Sequence, residues 1–246
     1  LFVVAQFFDY DAKAMAVSSE QVSIVIGQNF VLTFQEKPTG NFNPVRDRLR
    51  QDRGPIRRSG PAYLAYTLLD TVVDRYFAVL EDLGERVEEM EDELMRKPSS
   101  RVLATLHRLR REATILRRAV WPLREVINGL TRNSHFFGPD VQPYLRDVYD
   151  HTVHVIESLE AIRDLIAGLL EIYLSSVSNR VNREVRVLTV IAVIFLPSSL
   201  LAGIFGMNFR HMPLLDNPDG FGIAIGLMLG VAATLALLFW RRKWLG

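Results

Sequence analysis

The sequence predicts a predominantly helical α+β chain: a small β-containing start, a long helical middle and two membrane-crossing helices at the end. Three observations carry this prediction. Two stretches near the C-terminus, Val187 to Phe209 and Gly220 to Trp240, contain no Asp, Glu, Lys or Arg. Each is long enough to cross a bilayer as a helix, which takes about 20 residues. Upstream of them, from Pro61 onward, apolar residues recur at steps of three and four, the helical rhythm. Before that, apolar and polar residues alternate, as in half-buried strands. The expected division is a partial α/β domain over 1–58, a helical hairpin and stalk over 59–186, and a two-span membrane domain over 187–246.

Charge and composition narrow the function classes. The 246 residues hold 29 Lys and Arg against 28 Asp and Glu, a net charge of +1, so no nucleic-acid partner or acidic substrate is implied. The chain has no cysteine, which excludes disulfides and thiolate metal sites. It opens at Leu1 inside a strand-like run to Phe8, with neither an initiator Met nor a signal peptide, and is expected to lack an N-terminal part of a longer protein. No Gly-rich phosphate loop, nucleophile elbow or H-E-x-x-H motif is present, so an enzyme is not expected.

The elements follow in order. Gln21 to Ile26 and Phe30 to Gln35 alternate as a hairpin around Gly27-Gln28-Asn29. Asn43-Pro44 reads as an N-cap and a first-turn proline opening a short helix to Gln51. Gly54-Pro55 and Gly60-Pro61 punctuate the next boundary. A helix from about Pro61 to Met95 carries Leu64, Leu68, Val72, Leu80, Leu83, Val87, Met90 and Leu94 at helical steps. Pro98 ends it. A second runs from about Ser99 to Thr131, with a bend expected at Pro122. The first has eight acids and one Arg between Glu81 and Glu93, and the second has seven Arg and one Glu between Arg101 and Arg124. Across an antiparallel hairpin these charges are expected to face each other, each exposed pair giving at most about 1 kcal/mol.

The third helix runs unbroken from Asp140 to Phe205, through Tyr144, Val148, Val155, Leu159, Ile162, Ile166, Leu169 and Tyr173, with His151 where an apolar residue is due. At 1.5 Å per residue it is about 100 Å long. A narrow apolar seam on so long a helix calls for neighbours, and identical copies around an axis are the economical source. Its C-terminal part is the first membrane span. There Asn182, Val185, Leu188, Ala192, Leu196, Ser199 and Gly203 form one uncharged stripe, which fits either a pore gated by dewetting or ordinary helix packing. Pro197 frees the carbonyl of Val193. Arg180, Arg183 and Arg186 precede the first span and Arg241, Arg242 and Lys243 follow the second, so the positive-inside rule puts both ends in the cytoplasm. Trp240 and Trp244 suit the inner interface.

Gly206-Met207-Asn208 stands at the outer end of the first span. The run YLSSVSNRVNREVRVLTVIAVIFLPSSLLAGIFGMNFRHMPLL, from Tyr173 to Leu215, resembles the CorA family of magnesium and cobalt transporters, whose hallmark is a Gly-Met-Asn signature at this place. The hairpin EQVSIVIGQNFVLTFQEK, the run WPLREV, the stretch YLRDVYDHT and the basic end RRKWLG extend the resemblance over essentially the whole chain. It implies a funnel-shaped homopentamer in the cell inner membrane, with the first spans lining the pore. The implied cargo is Mg²⁺, also Co²⁺ and Ni²⁺, selected at Gly206, Met207 and Asn208. It also implies cytoplasmic Mg²⁺ that holds the pore shut, at positions matching Asp70, Asp147 and His151. The implied partners are the lipid bilayer, divalent ions and further copies of the chain.

Two departures are visible. The family's outer loop usually reads Met-Pro-Glu-Leu, and here it is Met212-Pro213-Leu214-Leu215, with Asp216 and Asp219 close by. Val185 and Leu196 stand where methionines are common. The alternatives are a zinc transporter of the same superfamily, which commonly has Ile in place of Met207, and a membrane-anchored coiled-coil scaffold.

Overall fold

The computed structural model describes residues 1–207, 214, 217–242 and 244. The chain divides into two compact units, Leu1–Tyr173 and Leu174–Gly246. The first opens with β1 (Phe2–Asp11), β2 (Ala16–Ile26) and β3 (Val31–Gln35), an antiparallel sheet in the order β1-β2-β3. Alternation sends Val3, Ala5 and Phe7 of β1 and Val22, Ile24 and Ile26 of β2 into the core. Phe2 and Val4 of β1 and Leu32 and Phe34 of β3 stay exposed.

The β2–β3 hairpin differs from the sequence expectation in two places: β2 starts five residues earlier, at Ala16, and β3 starts one later, at Val31. Ile26 pairs with Val31, and the Gly27 N–H donates to the Phe30 carbonyl at 2.9 Å. Phe30 therefore belongs to the loop. Its ring lies over Gly27, so a Cβ there would make the exposed Phe30 ring shift.

The helices lie where the periodicity puts them. They are α1 (Asn43–Arg50), α2 (Gly60–Arg96), α3 (Ser100–Thr131), α4 (Gln142–Phe205) and α5 (Gly220–Arg241). Phe42, not Asn43, occupies the N-cap of α1, and the Asn43 side chain accepts from Arg46 at 3.0 Å. Ser99 caps α3 by accepting from the Val102 N–H at 3.3 Å. Pro122 and Pro197 lie inside continuous helices.

One core runs through the first unit. The sheet packs on α2, where the Phe8 and Tyr76 rings stand 5.6 Å apart and the Tyr76 hydroxyl donates to the Gln6 carbonyl at 2.6 Å. Leu83, Val87 and Leu94 of α2, Leu106 and Leu109 of α3, and Val148, Val155 and Leu159 of α4 are fully buried. Glu112, the lone acid in the arginine-rich stretch, is buried and accepts from the Val17 N–H at 2.9 Å, tying α3 to β2.

The charge prediction for the hairpin is corrected. Among the described residues no ion pair joins α2 to α3. Arg86 pairs with Glu89 on α2 itself, and Arg117 reaches Glu160 of α4 at 2.7 Å. The buried apolar stripes turn the two helices toward each other, and this sends their charges outward, not across the seam.

Candidate ion pathway and metal site

The second unit holds the C-terminal part of α4 and the whole of α5. Both are long and apolar enough to cross a membrane, and 6% of each most apolar window is buried. Two faces of α4 are distinguishable here. Val190 is 1% exposed, and Ile194, Pro197, Ser198, Leu201 and Phe205 follow it at helical steps, all partly buried. This side meets α5, where the Ser198 hydroxyl donates to the Met228 carbonyl at 3.3 Å. The predicted stripe, Asn182, Val185, Leu188, Ala192, Leu196, Ser199 and Gly203, is exposed at every position. Helical geometry puts it on the opposite side from α5. Its large members are far from covered, with Leu188 68% and Leu196 72% exposed.

The ends of the two helices also register. The Arg186 guanidinium lies 5.9 Å over the Trp244 ring, and Trp244 stacks 5.5 Å from Phe239. The basic residue before the first apolar span and the aromatic after the second thus meet at one end of an antiparallel pair.

At the other end, the Gly206 N–H closes the last turn of α4 on Ala202 at 2.9 Å, and the Met207 N–H reaches Ile204 at 3.2 Å. Gly206 has no left-handed backbone, so its part in the turn is space. A Cβ there would stand 3.2 Å from the Ala202 carbonyl oxygen. Asn208, Met212, Pro213, Leu215 and Asp216 lie outside the described residues.

The first unit assembles the other predicted residues. Asp70 and Asp74 stand one turn apart on α2 and meet His151 of α4, with one ligand atom from each lying within 4.8 Å of the others. Asp147 flanks the set, its Oδ1 3.8 Å from His151 Nε2. The Phe77 ring packs edge-on against His151 at 6.0 Å, and His151 Nδ1 is buried without a partner. His154, three residues on, points to Phe77 and Glu157 instead.

Burial, then the carboxylates of Asp74 and Asp147, push the Asp70 carboxyl above its ordinary value, against the pull of His151 and the Tyr66 hydroxyl 3.5 Å away. Burial and Asp70 in turn raise the Tyr66 phenol. A half-buried carboxyl held up by like charges is one that a cation would relieve. Trans ligands of Mg²⁺ lie about 4.2 Å apart, twice its bond length, so this spread is close to what one ion or its first waters would span. Beside the set opens a cleft of about 500 Å³, lined by Asp70, Asp74, Arg48, Arg75 and Asn41 among others.

Sequence reasoning missed Asp74. Its signal was the four-residue step from Asp70, which puts both carboxylates on one helix face.

The sequence model of the family described as CorA-like Mg²⁺ transporter protein matches residues 1–243. The chain belongs to the CorA family. It is 42% identical to the cobalt/magnesium transport protein CorA of Thermotoga maritima, over all of this chain and 70% of that protein. It is 25% identical to the CorA of Methanocaldococcus jannaschii, over 93% of this chain and 73% of that one. The complete structure of the M. jannaschii CorA magnesium transporter superposes with a TM-score of 0.86 at 22% identity, covering 99% of this chain and 76% of that one. The CorA fold therefore extends over the described chain.

Proposed function

We propose that this CorA-family chain is one subunit of a Mg²⁺ and Co²⁺ transporter, in which copies of α4 surround the ion pathway. The observation that carries the reading is the uncharged stripe from Asn182 to Gly203, exposed on the α4 face turned away from α5. Five copies, the family's assembly, would cover that stripe and line an axis with it. In this reading the chain sits in the cell inner membrane, and its basic flanks orient both ends of the two-span segment toward the cytoplasm.

Each group then has a task. Mg²⁺ gives up its waters reluctantly. A ring of neutral acceptors, the Asn208 amides with carbonyls near Gly206, can hold the hydrated ion through those waters, where a ring of carboxylates would hold it too tightly to conduct. Met207 packs. Below, Val185, Leu188 and Leu196 narrow the pathway with apolar groups that empty of water when drawn together. The membrane potential supplies the drive: a divalent ion gains roughly 4.6 kcal/mol per 100 mV.

Such a drive needs feedback. Mg²⁺ held by Asp70, Asp147 and His151, with Asp74 added from the structure, offsets carboxylate repulsion and favours the closed state by binding it more tightly. Ni²⁺ and Co²⁺ suit the same place through the imidazole of His151. Met207 favours this reading over the zinc-transporter alternative.

The test is uptake by the purified chain in liposomes under an inside-negative potential. Mg²⁺ and Co²⁺ are expected to enter. Uptake of Zn²⁺ alone would point to the zinc alternative, and no uptake of any ion to a scaffold.

A further inference from the structure

Two stripes of opposite charge face outward from the α2–α3 hairpin. On α2, Glu81, Glu85, Glu88 and Asp92 follow at steps of four and three, all exposed. They lie opposite the buried Leu83, Val87, Met90 and Leu94. On α3, Arg101, Arg108, Arg111 and Arg118 are exposed, opposite the buried Leu106, Leu109, Ala113 and Leu116. Exposed Ile115 sits among these arginines. The contacts of both stripes stay within the first unit. Arg96 stands 3.9 Å from Asp92, and Arg108 donates to the Ala14 carbonyl at 3.3 Å. None of the eight side chains pairs with an opposite charge on the other helix.

The hairpin geometry matches the two stripes in height. Residues 97–99 connect the helices. Counting equal rises from that turn, Glu81 to Asp92 stand level with about residues 104–115 of α3, which include Arg108 and Arg111. Since each stripe is opposite its own helix's buried face, the two occupy opposite flanks of the hairpin.

We infer that neighbouring copies of this chain dock here, the acidic face of α2 in one copy against the arginine face of α3 in the next. Charge complementarity selects the occupant, because a second copy carries a face of the opposite sign, of similar length and at the same level. A contact between different faces is head-to-tail and repeats around a ring. Exposed pairs of this kind add little strength each, and their effect is to fix register and orientation. The inference rests on the ring assembly proposed above, though not on the ion pathway.

Cross-linking tests it directly, since the chain has no cysteine of its own. Two differently tagged full-length chains, one Glu85→Cys and the other Arg111→Cys, are co-expressed, purified as one assembly and mildly oxidised. With one thiol per chain, any disulfide joins two copies. The expected product is the mixed dimer, formed several-fold faster than either like pair. It should slow when NaCl rises from roughly 0.05 M to about 0.5 M, as the screening length shrinks. Arg108→Glu with Arg118→Glu on the Arg111→Cys chain should suppress it, and Glu81→Lys with Glu88→Lys on the other should restore it. Mixed dimers no faster than like pairs, in an assembly intact by light scattering, would overturn this contact and leave the transporter reading standing. Absence of any assembly would overturn both.

Discussion

Asp70 concentrates the electrostatics of the first unit. Burial and the neighbouring carboxylates hold its carboxyl above the ordinary value, so the folded chain keeps this proton at a pH where the unfolded chain has lost it. The stability linked to that proton is fully present below the unfolded value and is lost as pH rises through the raised one. With divalent ions chelated, the thermal midpoint should fall across this window, and Asp70→Asn should flatten the slope. Mg²⁺ competes with the same proton, so its protective effect should fade as pH drops through the raised value. Thermal melts at a series of pH values, with and without Mg²⁺, check both. An equal slope in wild type and Asp70→Asn would remove Asp70 from this role. His151 was legible as a polar interruption of an apolar rhythm. Asp74 was marked only by its four-residue step from Asp70, and one more acid on a charged helix looks like a solvated one until α4 is placed beside it.

Among the elements, α4 was the most legible and the α2–α3 hairpin the least. The rhythm of α4 predicted an unbroken helix through Pro197, and the uncharged stripe emerged on one side because thirty ångströms of apolar helix leave few places for charge. The hairpin's helices were also found, but its charges were assigned to the wrong neighbours. Helical periodicity locates a charged face and does not say what lies across from it. The β2–β3 loop slipped by one residue for a similar reason: Phe30 looks like a strand residue, and only its packing over Gly27 assigns it to the turn. The stripe on α4 carries its own prediction. Leu188 is exposed within the chain, so Leu188→Asn should fold normally. In the assembly it should wet the apolar constriction and raise basal Mg²⁺ flux by a few-fold or more. Unchanged flux in folded protein would mean that Leu188 packs on a neighbouring helix away from the pathway.

At the scale of the molecule, the 64-residue α4 carries Asp147 and His151 in the first unit and continues as one of the two apolar helices of the second. Asp147 and His151 near the start of α4 and the apolar stripe near its end thus belong to one continuous helix. Gating in this account is a change in how copies of that element sit together, biased by Mg²⁺ because the closed state binds it more tightly. In this account, with Leu214 where the family usually has an acid, ion capture at the mouth falls to the Gly206-Met207-Asn208 signature with Asp216 and Asp219. Asn208 therefore stands at the centre of the selectivity claim. The most direct test is Mg²⁺ uptake into liposomes under an imposed inside-negative potential, comparing wild type with Asn208→Ala, both shown to be assembled to the same extent. The account predicts potential-driven uptake by the wild type and its loss in Asn208→Ala. Near-normal uptake by the variant would contradict it.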